Sequence, residues 1–225
     1  MPNEILVQEK KCLLFGDETA SLRLIQLVDD YDLSGMDSQT QRMTSLCPDK
    51  KWLLIAVPVN SWNSDLSPWD APPVYGKDGF GHGAAETLQW LTNALIPYLE
   101  DAYGTGDRYV LGGYSLAGLF ALWAGYQTTA FSGIAAASPS VWFPGWMEYV
   151  QARSPKAKAV YLSLGDREER TRNPVMAAVG DCIRSMHGLL CAQGVITALE
   201  WNEGNHFKEP DARTAKAFAW VMNQL

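Results

Sequence analysis

The fold of this chain is decided by the stretch Tyr109-Val110-Leu111-Gly112-Gly113-Tyr114-Ser115-Leu116-Ala117-Gly118-Leu119-Phe120. An apolar run breaks into glycines, presents one serine and continues as a second apolar run, which predicts a strand, a sharp turn and a helix. A serine at the tip of such a turn has a strained backbone, and the residues two before and two after it must be small. Gly113 and Ala117 meet this requirement. Ser115 is therefore a candidate nucleophile.

Two later segments place polar residues directly after a predicted strand. The strand candidate at residues 159–164 ends in Gly165-Asp166-Arg167-Glu168-Glu169, and the one at residues 195–201 ends in Asn202-Glu203-Gly204-Asn205-His206-Phe207. On an open α/β sheet, a serine nucleophile is followed along the chain by an acid and then by a histidine, each on a loop at the carboxyl end of a strand. His206 is the candidate base, and the candidate acids are Asp166, Glu168 and Glu169.

These segments resemble the esterase branch of the α/β-hydrolases, which includes esterase D-like, feruloyl esterase-like and siderophore esterases. The resemblance runs from Leu22 to the C-terminus, and its most specific pieces are Gly113-Tyr114-Ser115-Leu116-Ala117-Gly118, Ser138-Pro139-Ser140-Val141-Trp142-Phe143, Gly165-Asp166-Arg167-Glu168 and Gly204-Asn205-His206. It implies an α/β-hydrolase fold and a triad acid three residues after the loop glycine. That position is Glu168, with Asp166 and Glu169 as rivals.

The early strand departs from the family pattern at the oxyanion loop. The family's histidine-glycine motif is missing, because residues 24–27 run into Val28-Asp29-Asp30-Tyr31-Asp32. The N–H of Leu116, at the start of the helix after the serine, is the natural first oxyanion donor, and a backbone N–H of Asp30 or Tyr31 is the candidate second donor. A carboxylate facing the oxyanion would oppose its charge. We therefore expect the side chains of Asp29, Asp30 and Asp32 to point away from it.

Strand and helix candidates alternate along the whole chain, without internal repeats. This alternation predicts one α/β domain over residues 1–225, with a mostly parallel central sheet and helices on both faces. The predicted helices include residues 38–45, residues 84–103 with a kink at Pro97, and residues 174–192. Ligands of such sheets bind beyond the carboxyl ends of the strands, where the three candidate catalytic residues would converge.

A long segment at about residues 60–83 combines aromatic residues with prolines and glycines. It follows a predicted buried strand, so we expect it to form part of the substrate pocket. The candidate substrate-binding residues are Trp62, Trp69, His82, Tyr114 and Trp142. Aromatic walls suit an acyl chain, an aryl ester or a sugar face. The segment's one cationic residue is Lys77, which disfavours a strongly anionic ligand such as a ferric catecholate siderophore.

Composition limits the partners and the location. The 225-residue chain has a formal net charge of -7, which repels nucleic-acid phosphates and anionic membrane surfaces. The N-terminal residues lack a leader pattern, and no segment suggests a membrane span, so we expect a cytoplasmic protein. The four cysteines, Cys12, Cys47, Cys182 and Cys191, lack metal-binding spacing. We expect no metal and no cofactor.

Together these residues predict a serine carboxylester hydrolase with a Ser-His-acid triad. The expected substrate is a small or medium ester, such as an acylated carbohydrate or an aryl ester. A thioesterase or acyltransferase would use the same triad and differ only in the acyl carrier or the acceptor. A non-catalytic binding module on a hydrolase scaffold is the alternative from another class, and the retention of serine, acid and histidine in order argues against it.

Overall fold

The computed structural model describes residues 2–225, and its strands join into one sheet. The strands are β1 Asn3–Val7, β2 Lys10–Gly16, β3 Leu22–Val28, β4 Leu53–Pro58, β5 Arg108–Tyr114, β6 Gly133–Ala137, β7 Ala159–Gly165 and β8 Ile196–Asn202. Their order across the sheet is β1-β2-β4-β3-β5-β6-β7-β8. The β1–β2 and β2–β4 pairs are antiparallel, and every other neighbouring pair is parallel.

The helices follow the strands in alternation, as the sequence predicts. The α-helices are α1 Asp30–Leu46, α2 Trp62–Asp65, α3 Ala84–Trp90, α4 Ile96–Tyr103, α5 Ser115–Gln127, α6 Trp146–Gln151, α7 Pro174–Ala177, α8 Val179–Ala192 and α9 Pro210–Gln224. A π-helical segment spans Leu91–Leu95, and a 3-10 turn spans Glu168–Arg170.

Helices cover both faces of the sheet. On one face α1 and α9 pack together, and Met36, Met43 and Phe218 join a core with inward side chains of β3, β4 and β5. On the other face α5 and α8 contribute Phe120 and Ile183 to a second, larger core. Every residue of β6 and β7 is buried, because parallel strands with two covered faces contact protein on both sides. The predicted α/β-hydrolase architecture is confirmed.

The parallel strands bring four chain segments to one edge of the sheet. The carboxyl end of β3 leads into α1, the end of β5 into Ser115, the end of β7 into Glu168, and the end of β8 into His206. Because these strands run in the same direction, the segments that follow them lie side by side.

The helix predicted at residues 38–45 is longer than expected and begins at Asp30. The side chain of Asp29 accepts a hydrogen bond from the N–H of Asp32 at 2.8 Å, and the side chain of Asp32 accepts one from the N–H of Asp29. This capping box starts the helix directly after β3. Asp30 and Tyr31 therefore lie in the first helical turn, where the sequence analysis placed a loop.

The helix predicted at residues 84–103 is interrupted one turn before its proline. After α3 the π-helical segment Leu91–Leu95 widens the helix, and α4 continues from Ile96. Pro97 has no N–H to donate to the carbonyl of residue 93, and the wider turn accommodates both this loss and the proline ring. The helix predicted at residues 174–192 is likewise divided, at Ala178, into α7 and α8.

One helical stretch of the described residues, Pro174–Ala192, is long and apolar enough by length and composition to cross a membrane. The sequence patterns had not indicated such a segment. Ile183, Met186 and Leu190 on α8 are buried in the core, whereas Asp181 and Arg184 on the same helix are exposed. This division into a buried and an exposed side is that of a helix packed on a sheet.

Candidate active site

Ser115 lies at a strained turn between β5 and α5. Its φ is +55°, a left-handed conformation that non-glycine residues rarely adopt and that is concentrated at functional sites. A Cβ at Gly113 would approach the Cβ of Ala117 to 2.6 Å, so only glycine fits at that position. The turn thus presents the Ser115 side chain at the N-terminus of α5, where backbone N–H groups lack helical partners.

His206 connects Ser115 to Glu168. Its Nε2 lies 3.0 Å from Oγ of Ser115, and its Nδ1 lies 2.6 Å from Oε2 of Glu168. The carboxylate is buried and the imidazole is partly buried. Serine, histidine and acid are therefore joined by hydrogen bonds in the order that a catalytic triad requires.

The three candidate acids have different hydrogen-bond partners in the structure. Glu168 alone contacts His206, whereas Asp166 accepts a hydrogen bond at 2.7 Å from the N–H of Gly204, and Glu169 pairs with Arg184 at 2.9 Å. The N–H of Asp166 also donates to the carbonyl of Asn202. Asp166 therefore connects the loop after β7, here called the acid loop because it carries Glu168, to the loop after β8, here called the histidine loop because it carries His206.

A buried arginine that the sequence analysis did not single out holds the acid in place. Arg213, on α9, donates from Nη1 to Oε1 of Glu168 at 2.9 Å, and from Nη2 to the carbonyls of Glu203 and Asn205. Oε1 of Glu168 also accepts from the N–H of Gly165 and from Oγ of Ser138, at 2.7 and 2.8 Å. No local sequence pattern marks this role, because Arg213 is one of several polar residues on an amphipathic helix.

The phenol of Tyr114, at the end of β5, holds the histidine loop in place. Its phenol donates to the carbonyl of His206 at 2.7 Å and accepts from Nη1 of Arg213 at 3.1 Å. Burial is the main cause that raises the pKa of Tyr114 to about 12, and the nearby charge of Glu168 adds to it. The phenol therefore stays protonated at neutral pH and remains a donor.

Two cavities meet at His206 and Phe207. The first, here called the serine arm, has a volume of about 150 Å³ and is lined by Asp29, Tyr31, Asp32, Trp62, Tyr114, Ser115, His206, Phe207 and Pro210. The second, here called the arginine arm, has a volume of about 310 Å³ and is lined by Ser138, Pro139, Trp142, Arg167, Glu168, Arg170, Thr171, Met176, Val179, Asn205, His206 and Phe207.

The expectation that all three aspartates point away from the oxyanion region is wrong for two of them. Asp30 is exposed, but Asp29 and Asp32 line the serine arm beside Ser115. The capping box turns both side chains toward the start of α1, and this end of the helix borders the arm. Burial is the main cause that raises the pKa of Asp32 to about 7, and the charge of Asp29 adds to it. Protonation of this carboxyl reduces the conflict with a developing oxyanion.

The oxyanion candidates lie on the starts of two helices. Leu116 is the second residue of α5, and Asp30 and Tyr31 are the first two residues of α1. Backbone N–H groups at these positions have no partner within their own helix. Tyr31 lines the serine arm and Asp30 does not, so Tyr31 is the better placed of the two.

The expected substrate-binding residues divide into two groups. Trp62 and Tyr114 line the serine arm, and Trp142 lines the arginine arm. Trp69 and His82 line neither. Trp69 instead donates from Nε1 to the carbonyl of Pro144 at 2.8 Å and fixes the aromatic segment to the protein, while exposed His82 pairs with Asp70.

The sequence from residue 31 to residue 187 matches the family described as Putative esterase. This protein belongs to that esterase family. The match includes Ser115 and Glu168 and ends before His206, so the structure alone joins the histidine to the other two residues in this esterase. Among curated proteins, none matches the esterase's sequence.

Solved structures similar to this esterase include hydrolases of several organisms. An IroE-like serine hydrolase from Shewanella oneidensis has a TM-score of 0.83 at 16% identity, over 98% of this chain and 79% of the other. The siderophore hydrolase EstA from Aspergillus nidulans has a TM-score of 0.73 at 19% identity, over 100% and 94%. The enterobactin esterase FES from Shigella flexneri has a TM-score of 0.74 at 17% identity, over 100% and 59%. At these identities the likeness concerns the fold.

Proposed function

We propose that this protein is a serine carboxylester hydrolase that forms an acyl-enzyme on Ser115. The observation that carries the proposal is the hydrogen-bonded chain from Oγ of Ser115 through His206 to Glu168, with distances of 3.0 and 2.6 Å. Membership in an esterase family agrees with this chemistry. The fixed environment of Glu168, with four hydrogen-bonding groups on its two oxygens, keeps the imidazole in one orientation.

In the first half of the reaction, Oγ of Ser115 attacks the ester carbonyl carbon while Nε2 of His206 accepts the hydroxyl proton. The bond to the alcohol oxygen then breaks, and His206 gives the proton to that oxygen. Glu168 stabilises the imidazolium that exists between these transfers. The N–H of Leu116, at the start of α5, is the first donor to the oxyanion.

In the second half, water replaces the alcohol. His206 accepts a proton from the water as it attacks the acyl carbon, and returns that proton to Oγ as the bond to Ser115 breaks. The products are a carboxylic acid and an alcohol, and Ser115 is regenerated.

Labelling and turnover of an activated ester test the proposal. The wild type should give a burst of p-nitrophenol from p-nitrophenyl acetate and react with a fluorophosphonate probe at Ser115. Ser115→Ala should lose about 10⁶-fold in kcat, as in other triads, and His206→Ala should lose a similar factor. His187→Ala, on α8 away from both arms, is the matched control and should keep wild-type activity.

A second serine hydroxyl, that of Ser140, is close enough to Ser115 to be labelled in its place. Oγ of Ser140 lies 3.3 Å from Oγ of Ser115. Probe attachment at Ser140 with Ser115 unmodified would show that the nucleophile is misassigned. A wild type that neither releases p-nitrophenol nor takes up the probe would favour a binding module on a hydrolase scaffold.

A further inference from the structure

The two arms of the cleft carry opposite charges. Asp29 and Asp32 line the serine arm, and Arg167 and Arg170 line the arginine arm. The whole chain has a net charge of -7, so two arginines beside the candidate histidine are a local reversal of the protein's overall charge. A cleft with separated charges orients a polar substrate as it binds.

The two arginines are not bound by a carboxylate. Among residues 2–225, neither Arg167 nor Arg170 forms an ion pair, whereas nearby Arg184 pairs with both Glu169 and Asp181. The carboxylate of Glu168 also borders the arginine arm, but Arg213 and His206 already bind it. The guanidinium groups are therefore available for an anion of the substrate.

The aromatic segment at residues 60–83, where Lys77 is the one cation, by itself predicts that anionic ligands are disfavoured. The arginines instead come from the acid loop after β7 and from the 3-10 turn that follows. Sequence alone did not indicate that this loop forms a cavity wall, because the wall is completed by Trp142 and Phe207 from two other loops.

The roles of serine and histidine indicate which side of the ester enters which arm. Ser115 becomes bonded to the acyl carbon, and His206 delivers its proton to the oxygen of the leaving alcohol. His206 lines both arms, whereas Ser115 lines only the serine arm. The acyl group therefore belongs in the serine arm and the alcohol in the arginine arm.

The volumes and a hydrophobic side chain agree with this assignment. The serine arm measures about 150 Å³ and the arginine arm about 310 Å³, so the acyl group is the smaller portion. Phe207 borders both arms and is 78% exposed. An exposed phenylalanine directly after the candidate base gains hydrophobic stabilisation when a substrate covers it.

We propose that the preferred substrates join a small, uncharged acyl group to a larger alcohol that carries a carboxylate. Arg167 and Arg170 bind the carboxylate, Trp142 and Phe207 contact the apolar part of the alcohol, and the carboxylate of Asp29 disfavours acyl groups of negative charge. This inference rests on the proposed ester hydrolysis and deepens it.

A matched pair of acetate esters tests the alcohol side. 4-Acetoxybenzoate has a carboxylate on the leaving phenol, and methyl 4-acetoxybenzoate is its neutral counterpart. We expect Arg167→Gln and Arg170→Gln each to lower kcat/KM for the charged ester by about three- to tenfold, since both side chains are exposed to solvent. The neutral ester should change little, and Arg172→Gln should change neither, because Arg172 is exposed and lies outside the arm.

A second matched pair tests the acyl side. Phenyl hydrogen succinate has its carboxylate on the acyl group, and phenyl butyrate is neutral there. We expect the wild type to disfavour the charged acyl group, and the arginine substitutions to leave the ratio of the two kcat/KM values unchanged. Added salt should lower the preference for 4-acetoxybenzoate, because the arginines are exposed.

The possible results separate this inference from the proposed function. If the double variant Arg167→Gln/Arg170→Gln hydrolyses both acetate esters in the wild-type ratio, the arginine arm does not bind the alcohol's carboxylate and the inference is wrong. The same holds if the substitutions act on phenyl hydrogen succinate instead. If the wild type hydrolyses none of the four esters and Ser115 takes up no probe, the proposed function fails, and the inference fails with it.

Discussion

Arg213 donates to the oxygen of Glu168 that faces away from the candidate base His206. The distance from Nη1 to Oε1 is 2.9 Å, and both side chains are buried. A buried carboxylate requires an opposite charge and full hydrogen bonding to remain ionised. The last helix of the fold therefore supplies the charge that a triad acid at the end of β7 needs.

Replacement of Arg213 should destabilise the protein far more than replacement of an exposed arginine. Arg213→Met leaves the carboxylate of Glu168 buried without its cation, and we expect a loss of about 3–5 kcal/mol in the free energy of unfolding. Arg184→Met removes the exposed pair with Glu169 and should cost about 1 kcal/mol or less. Urea denaturation of both variants measures the difference, and equal losses would contradict the role given to Arg213.

The milder Arg213→Lys variant separates positioning from folding. Lysine keeps the positive charge but cannot bind Glu168 and both loop carbonyls with a planar fork. We expect a folded enzyme whose kcat is lower by about ten- to a hundredfold because the histidine loop is less well fixed. Circular dichroism gives the fold and p-nitrophenyl acetate gives kcat. A folded variant with wild-type kcat would show that the fork is dispensable.

The triad acid can be identified by amide substitutions at three positions. Glu168→Gln should reduce kcat by up to about 10⁴-fold, because the amide oxygen would stay with the donors of Gly165, Ser138 and Arg213, and its NH2 group would face Nδ1 of His206. Asp166→Asn should have a small effect, since an asparagine oxygen still accepts from the N–H of Gly204. Glu169→Gln should also be mild. If Asp166→Asn is nearly inactive while Glu168→Gln stays active, the triad acid is Asp166 and not Glu168.

The two tryptophans of the aromatic segment should differ in kinetics. Trp62 lines the serine arm, so Trp62→Ala should raise KM for esters with longer acyl groups and lower kcat/KM by about ten- to a hundredfold, with little change in kcat for an acetate ester. Trp69 lines neither arm and packs on Phe143 and Tyr149. Trp69→Ala should therefore lower Tm and leave KM unchanged. The reverse pattern would show that Trp69, and not Trp62, contacts the substrate.

The buried carboxyl of Asp32 should make stability depend on pH. Because its pKa in the folded state, about 7, lies above that of an unfolded aspartate, the folded protein binds the proton more tightly. This contribution is complete below about pH 4 and is lost as pH rises to about 7. We expect Asp32→Asn to flatten the fall in unfolding free energy over this range, with exposed Asp37→Asn on the same helix as the control. Parallel curves for wild type and Asp32→Asn would contradict the assignment.

The sequence by itself determined the features that depend on local sterics and on chain order. Gly113 and Ala117 are required by the turn at Ser115, and the alternation of apolar runs with helices is enough to predict a parallel sheet. The order of serine, acid and histidine, each after a strand, also follows from the chain alone. Each of these features is a local pattern or an order of segments along the chain, so it can be recognised without the fold.

Only the tertiary structure decided which side chains meet. Asp166, Glu168 and Glu169 are neighbours on one short loop, and the direction of each is set by a partner far along the chain: Gly204, His206 and Arg184. Arg213 has no local signature of its role, because the groups it binds lie on three separate loops, at Ser138 after β6, at Glu168 after β7, and at Glu203 and Asn205 after β8. The opposite charges of the two arms could not be predicted from the sequence either, because each arm is lined by residues from several separate segments. Adjacent strands bring distant loops to one edge of the sheet, and the contacts between those loops depend on the packing of the whole domain.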